Sequence, residues 1–229
     1  MKKLLLLSAF AASALAFSPA LRGLELSAGL GGSASPYMET ARVASGADYS
    51  TREFQTMHYG VFGYVDATYV EASAGIGWSS GITSLHIVDG LDVFGESVDV
   101  VYSGSDAMTY LSLGLLFKYP FDMTDFYVFP ILGVEYDLNL GYKDGEGNDL
   151  KADMSAEERA NLDMLWLKAG CGLDIPIAGR LYLRPEALVA YKVISKLDQD
   201  WVDDHSAGMD TTYWRTVKAD IRFLAGWKF

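Results

Sequence analysis

The chain has 229 residues, a net charge of −12 at pH 7 and a composition that is 50% hydrophobic. Its single cysteine, Cys171, excludes an internal disulfide. No basic patch of the kind that binds nucleic acid is present, so we expect no nucleic-acid partner.

The N-terminal segment has the layout of a secretory signal peptide. Two lysines precede an apolar run, and Ala14-Leu15-Ala16 matches an A-x-A cleavage site. The alternative, a membrane-anchoring helix, would need about 20 apolar residues, more than the run from Leu4 to Phe17 supplies. We therefore expect a signal peptide over residues 1–16 and one mature domain over 17–229.

The rest of the chain alternates apolar and polar residues with a period of two, which is typical of strands with one apolar face. The polar faces are rich in Gly, Ala and Ser, and two segments are less regular than the others: 57–67, with aromatics on both faces, and 126–140, apolar throughout its first half. Eight such segments occur: 24–31, 57–67, 69–78, 110–119, 126–140, 165–175, 181–193 and 221–229.

The connections between these segments alternate in length. Short turns are predicted near 67, 122 and 178, and long polar loops at 36–53, 79–107, 141–163 and 195–213. Four hairpins with tight turns on one side and long loops on the other are the layout of a transmembrane β-barrel. Pro130 and Pro185 fall inside predicted strands, where we expect bulges or local breaks.

Periodicity alone does not separate a membrane barrel from a soluble one. Three features favour the membrane: small residues on the polar faces, apolar faces about 9–11 residues long, and aromatics at strand ends. Acidic residues outnumber basic ones in the four loops, whereas the remaining mature residues hold ten of each. Acidic loops are explained by solubility, or else by a basic partner or divalent cations.

Charged residues on the polar faces would point into the barrel, where each needs a partner. The simpler interpretation is a salt-bridged plug that braces the barrel, and the functional one is a gated polar path. Eight strands leave little room for water, which favours the plug. The predicted network comprises Glu25, Glu71, Lys118, Glu135, Asp137, Lys168, Asp174, Arg184, Glu186, Lys192, Lys218, Asp220 and Arg222.

The ending "FLAGWKF", with the signal peptide and the hairpin rhythm, resembles the small outer-membrane β-barrels of the OmpX, OmpA-barrel and OmpW type. The resemblance implies an all-β, eight-stranded antiparallel barrel, an up-and-down meander with short periplasmic turns and long extracellular loops. It also implies that Phe223, Trp227 and Phe229 face lipid and serve as the insertion signal for the barrel assembly machinery. Trp227 stands where Tyr or Phe is commoner in that class.

No catalytic set emerges, and we expect a non-enzymatic surface platform without cofactor or metal. The alternatives are a narrow channel for small or apolar solutes, as in the OmpW type, or a rim enzyme using His58 or His205. The stretch "DGEGND" at 144–149 is a weak calcium-loop candidate. Expected partners are outer-membrane lipid, the assembly machinery, and an extracellular ligand or divalent cation at the acidic loops.

Overall fold

The computed structural model describes residues 25–45, 48–91, 97–104, 106–152, 154–156, 159, 162–193 and 209–229. The predicted signal peptide lies outside them, so its cleavage stays a prediction. In the described part of the chain, no helix is long and apolar enough to cross a bilayer. The strands there are β1 (Leu26–Ser45), β2 (Asp48–Ala67), β3 (Val70–Leu91), β4 (Ser97–Gly104), β5 (Ala107–Lys118), β6 (Phe121–Asp122), β7 (Tyr127–Lys143), β8 (Met164–Ala178), β9 (Leu181–Lys192) and β10 (Met209–Lys228).

Eight of these strands close into an antiparallel barrel. Each pairs with its neighbour along the chain in the order β1-β2-β3-β5-β7-β8-β9-β10, and β10 pairs back with β1. Strand β4 pairs with the outer half of β3, and the two-residue β6 pairs with the start of β7. The predicted eight-stranded up-and-down barrel is therefore confirmed.

The barrel is apolar outside and charged inside. Outward side chains such as Leu30, Val61, Val189 and Phe223 are 56–73% exposed. A contiguous apolar surface of this extent marks a membrane-facing band rather than a water-facing wall. The aromatic pair Tyr59 and Trp78, joined across β2 and β3, bounds the band on the side away from the short turns.

Four strands are much longer than the sequence pattern predicted. Strands β1 and β2 stay paired from Leu26↔Ala67 to Ser45↔Asp48, and β3 continues past Trp78 to pair with β4. The regions 36–53 and 79–107, predicted as loops, are therefore mostly hairpins, and that boundary prediction was wrong. Apolar and polar residues do not alternate regularly in these regions, so the period-two pattern gave no strand signal there.

Of the two prolines expected to make bulges or local breaks, one interrupts the strand pairing and the other does not. Pro130 is paired with Cys171 without a register shift, just past the last β5–β7 pair, Lys118↔Ile131. Pro185 pairs with Phe223 on β10, while the β8–β9 ladder skips two positions between Gly172↔Glu186 and Ile175↔Leu183 and then resumes its register. Pro130 is thus tolerated without a bulge, and Pro185 makes a local break.

The short turns, the start of β1 and the end of β10 lie on the same side of the barrel. The amide of Phe229 donates to the carbonyl of Leu26 (2.8 Å), and that of Lys228 donates to the carbonyl of Arg180 (3.0 Å) in the β8–β9 turn. We call this the turn end of the barrel, and the opposite side the hairpin end.

Candidate functional site: the charged barrel interior

Most of the charged residues predicted to face inward are buried in the barrel. The buried members are Glu71, Lys118, Glu135, Asp137, Lys168, Asp174, Arg184, Glu186, Lys218, Asp220 and Arg222. Two predicted members lie elsewhere. Glu25 is exposed at the turn end, where its carboxylate pairs with Lys228 (2.7 Å). Lys192 is half-buried at the last position of β9 and joins none of the ion pairs found among the described residues.

A first group of charges, the turn-end cluster, is organised by Arg184. Its guanidinium donates to Asp66 and Glu71 (both 2.6 Å) and, through Nε, to Asp174 (2.5 Å). Lys118 makes a further ion pair with Asp66. One planar donor fork thus holds three carboxylates from three strands, a geometry that an ammonium group cannot reproduce.

Aromatic rings enclose this cluster. The Arg184 guanidinium carbon lies 5.1–5.4 Å from the ring centres of Tyr64, Phe129 and Tyr182. The Tyr64 hydroxyl donates to that of Tyr182 (2.8 Å), which also bonds to Ser27 (2.7 Å). The rings fill space that water would otherwise occupy, and their faces favour the cation.

A second group, the mid-barrel cluster, lies nearer the hairpin end. Lys168 bridges Glu135 (2.6 Å) and Asp220 (2.5 Å), and Arg222 contacts the same two carboxylates (2.5 and 3.1 Å). Lys218 also reaches Glu135 (2.9 Å). Glu135 therefore accepts from three cations, which compensates for its burial.

Asp137 extends the mid-barrel cluster through two neutral donors and one lysine. It accepts from Ser112 (2.5 Å), from the indole of Trp166 (2.7 Å) and from Lys218 (3.2 Å). Trp166 is fully buried, and Lys218 lies 4.5 Å from its ring centre. This carboxylate is thus fully hydrogen-bonded.

His58 lies at the level of Tyr59, near the rim as the sequence suggested, but its side chain points into the barrel and is enclosed there. Its ring stacks on Tyr37 at 4.8 Å, and Nδ1 is 3.2 Å from the Tyr110 hydroxyl. The side chain is 2% exposed. A base sealed in this way is out of reach of an external substrate, and the other candidate for a rim enzyme, His205, lies outside the described residues.

One buried carboxylate is left without hydrogen bonds. Both oxygens of Glu186 lack a donor, and the nearest cationic atom, Nη1 of Arg222, is 3.9 Å away and itself unpartnered. One oxygen each of Asp66 and Glu71 is also without a donor. Among the described residues, both side-chain polar atoms of Asn139 are unpartnered as well.

A small polar cavity adjoins the mid-barrel cluster. It has a volume of about 20 Å³ and is bordered by small residues of β1, β2 and β3, together with Ser112, Lys218 and Arg222. A cavity of this size holds about one water molecule. In the described part of the barrel the interior is filled rather than open.

Several interior residues escaped the sequence analysis. Asp66 was placed in a turn, yet it is the second-to-last residue of β2 and points inward. Asp66 is two residues after the inward Tyr64, so the period of two predicts that its side chain also points inward. Tyr182 was missed because an aromatic on the charged face gives no signal of its own.

The acidic stretch 144–149 is a self-contained turn. Asp144 Oδ1 accepts from the amides of Glu146 and Asn148, and Oδ2 accepts from the Asn148 side chain, all at 2.9 Å. The bond from the Asn148 side chain is the main cause that lowers the pKa of Asp144 below its ordinary value. These bonds occupy the carboxylate, and the described residues contain no group of three metal-ligating side chains.

The proposed insertion-signal residues share the outer face of β10. Phe223, Trp227 and Phe229 are 69%, 50% and 72% exposed. They extend the apolar band to the turn end, so their side chains are available to lipid or to a protein that binds this strand.

Comparisons with known proteins give a likeness of fold. No family model and no curated protein matches the chain. Among solved structures, Neisserial surface protein A aligns at 12% identity and a TM-score of 0.36, covering 86% of this chain and 97% of its own. OprG of Pseudomonas aeruginosa aligns at 10% identity and a TM-score of 0.42, covering 90% of this chain and 96% of its own. The outer-membrane protease OmpT of Escherichia coli aligns at 8% identity and a TM-score of 0.42, covering 90% of this chain and 97% of its own. Likeness at these levels carries no argument about activity, and the fold assignment rests on the strand pairing described above.

Proposed function

We propose that the protein is an integral outer-membrane barrel that serves as a non-enzymatic platform, holding β-hairpins at the cell surface. The observation that carries the proposal is strand length. At about 3.3 Å per residue, a 20-residue strand is roughly twice as long as the 9–11 residues that cross a bilayer. Strands β1, β2 and β10 have 20 residues each and β3 has 22.

The excess length lies entirely at the hairpin end, beyond Tyr59 and Trp78. At the turn end, by contrast, β2 and β3 are joined by Thr68 and Tyr69 alone. A barrel that only crossed the membrane would have no use for paired strands that continue beyond it. Acidic residues at this end would present negative charge to a ligand or to divalent cations.

The filled interior supports a platform rather than a pore. Ion pairs and aromatic rings occupy the lumen at both clusters, and the cavity beside them holds about one water molecule. The alternative function is a narrow channel for small or apolar solutes, and the small-residue lining of that cavity is the observation that favours it.

Planar-bilayer recording on refolded protein separates the two functions. The platform predicts little steady current, because buried paired charges exclude mobile ions. The matched variant is Glu135→Ala, which removes a carboxylate that holds three cations in place and should admit measurable current. A large steady conductance of the unchanged protein would reject the platform and establish the channel.

Surface labelling tests the orientation. In a Cys171→Ser background, Glu146→Cys and Arg180→Cys place single thiols at exposed positions on opposite ends of the barrel. A membrane-impermeant maleimide applied to intact cells should label position 146 and not 180, whereas both should react after lysis. Labelling of 180 alone on intact cells would contradict the orientation.

A further inference from the structure

We infer that the barrel interior binds one proton at Glu186, which is a neutral carboxylic acid in the folded protein near neutral pH. This proton site is independent of whether the barrel is a platform or a channel. It follows from the charge count of the lumen and from the surroundings of one side chain.

The charge count shows that carboxylates exceed cations. An ionised carboxylate in a buried site is stable only with cationic or hydrogen-bond partners. Even with every cation engaged, two negative charges would remain if all the acids were ionised. The buried charged residues described by the structure are seven acids, Asp66, Glu71, Glu135, Asp137, Asp174, Glu186 and Asp220, and five bases, Lys118, Lys168, Arg184, Lys218 and Arg222.

The hydrogen bonds identify which acid is uncompensated. Six of the seven accept at least one hydrogen bond or close ion pair from a cation. Glu186 accepts none, although it is 3% exposed. Closing the 3.9 Å gap to Arg222 would pair it with a guanidinium that already serves Glu135 and Asp220, and the excess of acids would persist.

The neighbours of Glu186 come from every side of the lumen. The charged groups acting on it are Glu71 from β3, Arg222 from β10, Arg184 from β9 and Lys118 from β5. Strand β8 contributes Gly172, where an added Cβ would lie 3.1 Å from the Glu186 Cγ, and the uncharged Phe129 of β7 meets the same position. Arg184 is committed to other carboxylates, Arg222 approaches Glu186 only to 3.9 Å, and Glu71 keeps one oxygen without a donor. A proton on Glu186 removes one excess charge and weakens the repulsion between Glu186 and Glu71.

Infrared spectroscopy of the protein refolded into lipid vesicles tests the site directly. A carboxylic acid has a C=O stretch that a carboxylate lacks, and near pH 7 the exposed acids are ionised. We expect this band in the unchanged protein, with a shift in D₂O. The band should be lost in Glu186→Gln and kept in Glu135→Gln, whose parent carboxylate is held by three cations.

Melting experiments give a second readout. In the unfolded chain Glu186 would ionise near pH 4.3, so above that pH the folded protein carries one more proton than the unfolded protein. The melting temperature of the unchanged protein should therefore fall as pH rises above 5, and Glu186→Gln should lose that dependence. Glu186→Gln keeps the size of the side chain, so its folding can be verified by its gel mobility before heating.

Two results would overturn the inference. A band that survives in Glu186→Gln but vanishes in Glu71→Gln or Asp137→Asn would place the proton on another acid. Absence of the band, with a melting temperature that rises with NaCl but not with choline chloride, would instead show that a small metal cation neutralises the excess charge.

Discussion

At the scale of single residues, Arg184 is the most connected side chain of the lumen. Its three nitrogens contact carboxylates from β2, β3 and β8, while three aromatic rings cover its faces. Because these carboxylates are buried, losing their cationic partner costs more free energy than breaking an exposed ion pair would.

Replacing Arg184 should therefore be costly. Arg184→Ala leaves Asp66, Glu71 and Asp174 with Lys118 as the one nearby cation of their cluster, so we expect a loss of about 3–5 kcal/mol in the free energy of unfolding. Arg184→Lys should fall between this variant and the unchanged protein, because it keeps the charge and loses the fork. Denaturant unfolding in lipid vesicles measures both.

The matched control is Arg180→Ala, at an exposed position of the β8–β9 turn. A surface change of this kind alters stability by about 0.5 kcal/mol or less. If Arg184→Ala were as mild as Arg180→Ala, the turn-end cluster would not contribute to stability as described.

At the scale of secondary-structure elements, β10 combines two roles that differ in chemistry. Its inward side chains Lys218, Asp220 and Arg222 belong to the mid-barrel cluster. Its outward side chains end in Trp227 and Phe229, and the amide of Phe229 also closes the seam with β1 by donating to Leu26.

The two contributions of Phe229 can be separated. Deleting the residue removes the ring and the backbone bond, whereas Phe229→Ala removes only the ring. If the ring is the insertion signal, both variants should accumulate in the periplasm to a similar extent, as measured by membrane fractionation. Normal insertion of Phe229→Ala with failure of the deletion would mean that the seam, and not a recognised aromatic, governs insertion.

At the scale of the whole molecule, the ion-paired clusters and the hairpin extensions occupy different parts of one continuous sheet. The clusters lie in the barrel, whereas the outer portions of β1 and β2 pair with each other beyond it, and also with β10 and β3. The stability of the barrel should therefore not depend on the hairpin tips.

Shortening one hairpin tests this division. Removing residues 41–52 and joining Thr40 to Glu53, which face each other across the ladder, through an Asn-Gly turn keeps the register. We expect folding to persist, with a melting temperature within a few degrees of the unchanged protein, measured by the gel shift on heating. The control removes Ser33 and Gly60, a facing pair inside the barrel. That deletion reverses the faces of β1 and β2 relative to the lumen and should abolish folding.

The barrel and the direction of most side chains could be predicted from the sequence because alternation fixes which residues share a face. It placed Arg184, Glu71 and Asp220 inside correctly. Their partners could not be predicted, because Arg184 and Glu71 lie on strands that are far apart in the chain and meet only when the barrel closes.

The hairpin extensions were missed for a related reason. In these extensions apolar residues do not alternate regularly with polar ones, so the sequence there resembles that of a loop. Glu25 was placed inside because it continues the alternation of β1, but it lies before the first residue of that strand, where the barrel wall ends and its carboxylate meets solvent.

The seam between β1 and β10 sets the order of events in biogenesis. Ser27 of β1 pairs with Lys228 of β10. Each of these two strands therefore lacks one neighbouring strand until the barrel closes. Contacts so distant in sequence form late and slowly. Until the barrel closes in the membrane, its outward Leu, Val and Phe side chains are exposed to water, which makes the chain prone to aggregation. We therefore expect the unfolded chain to aggregate in water unless these residues are shielded until it reaches the membrane.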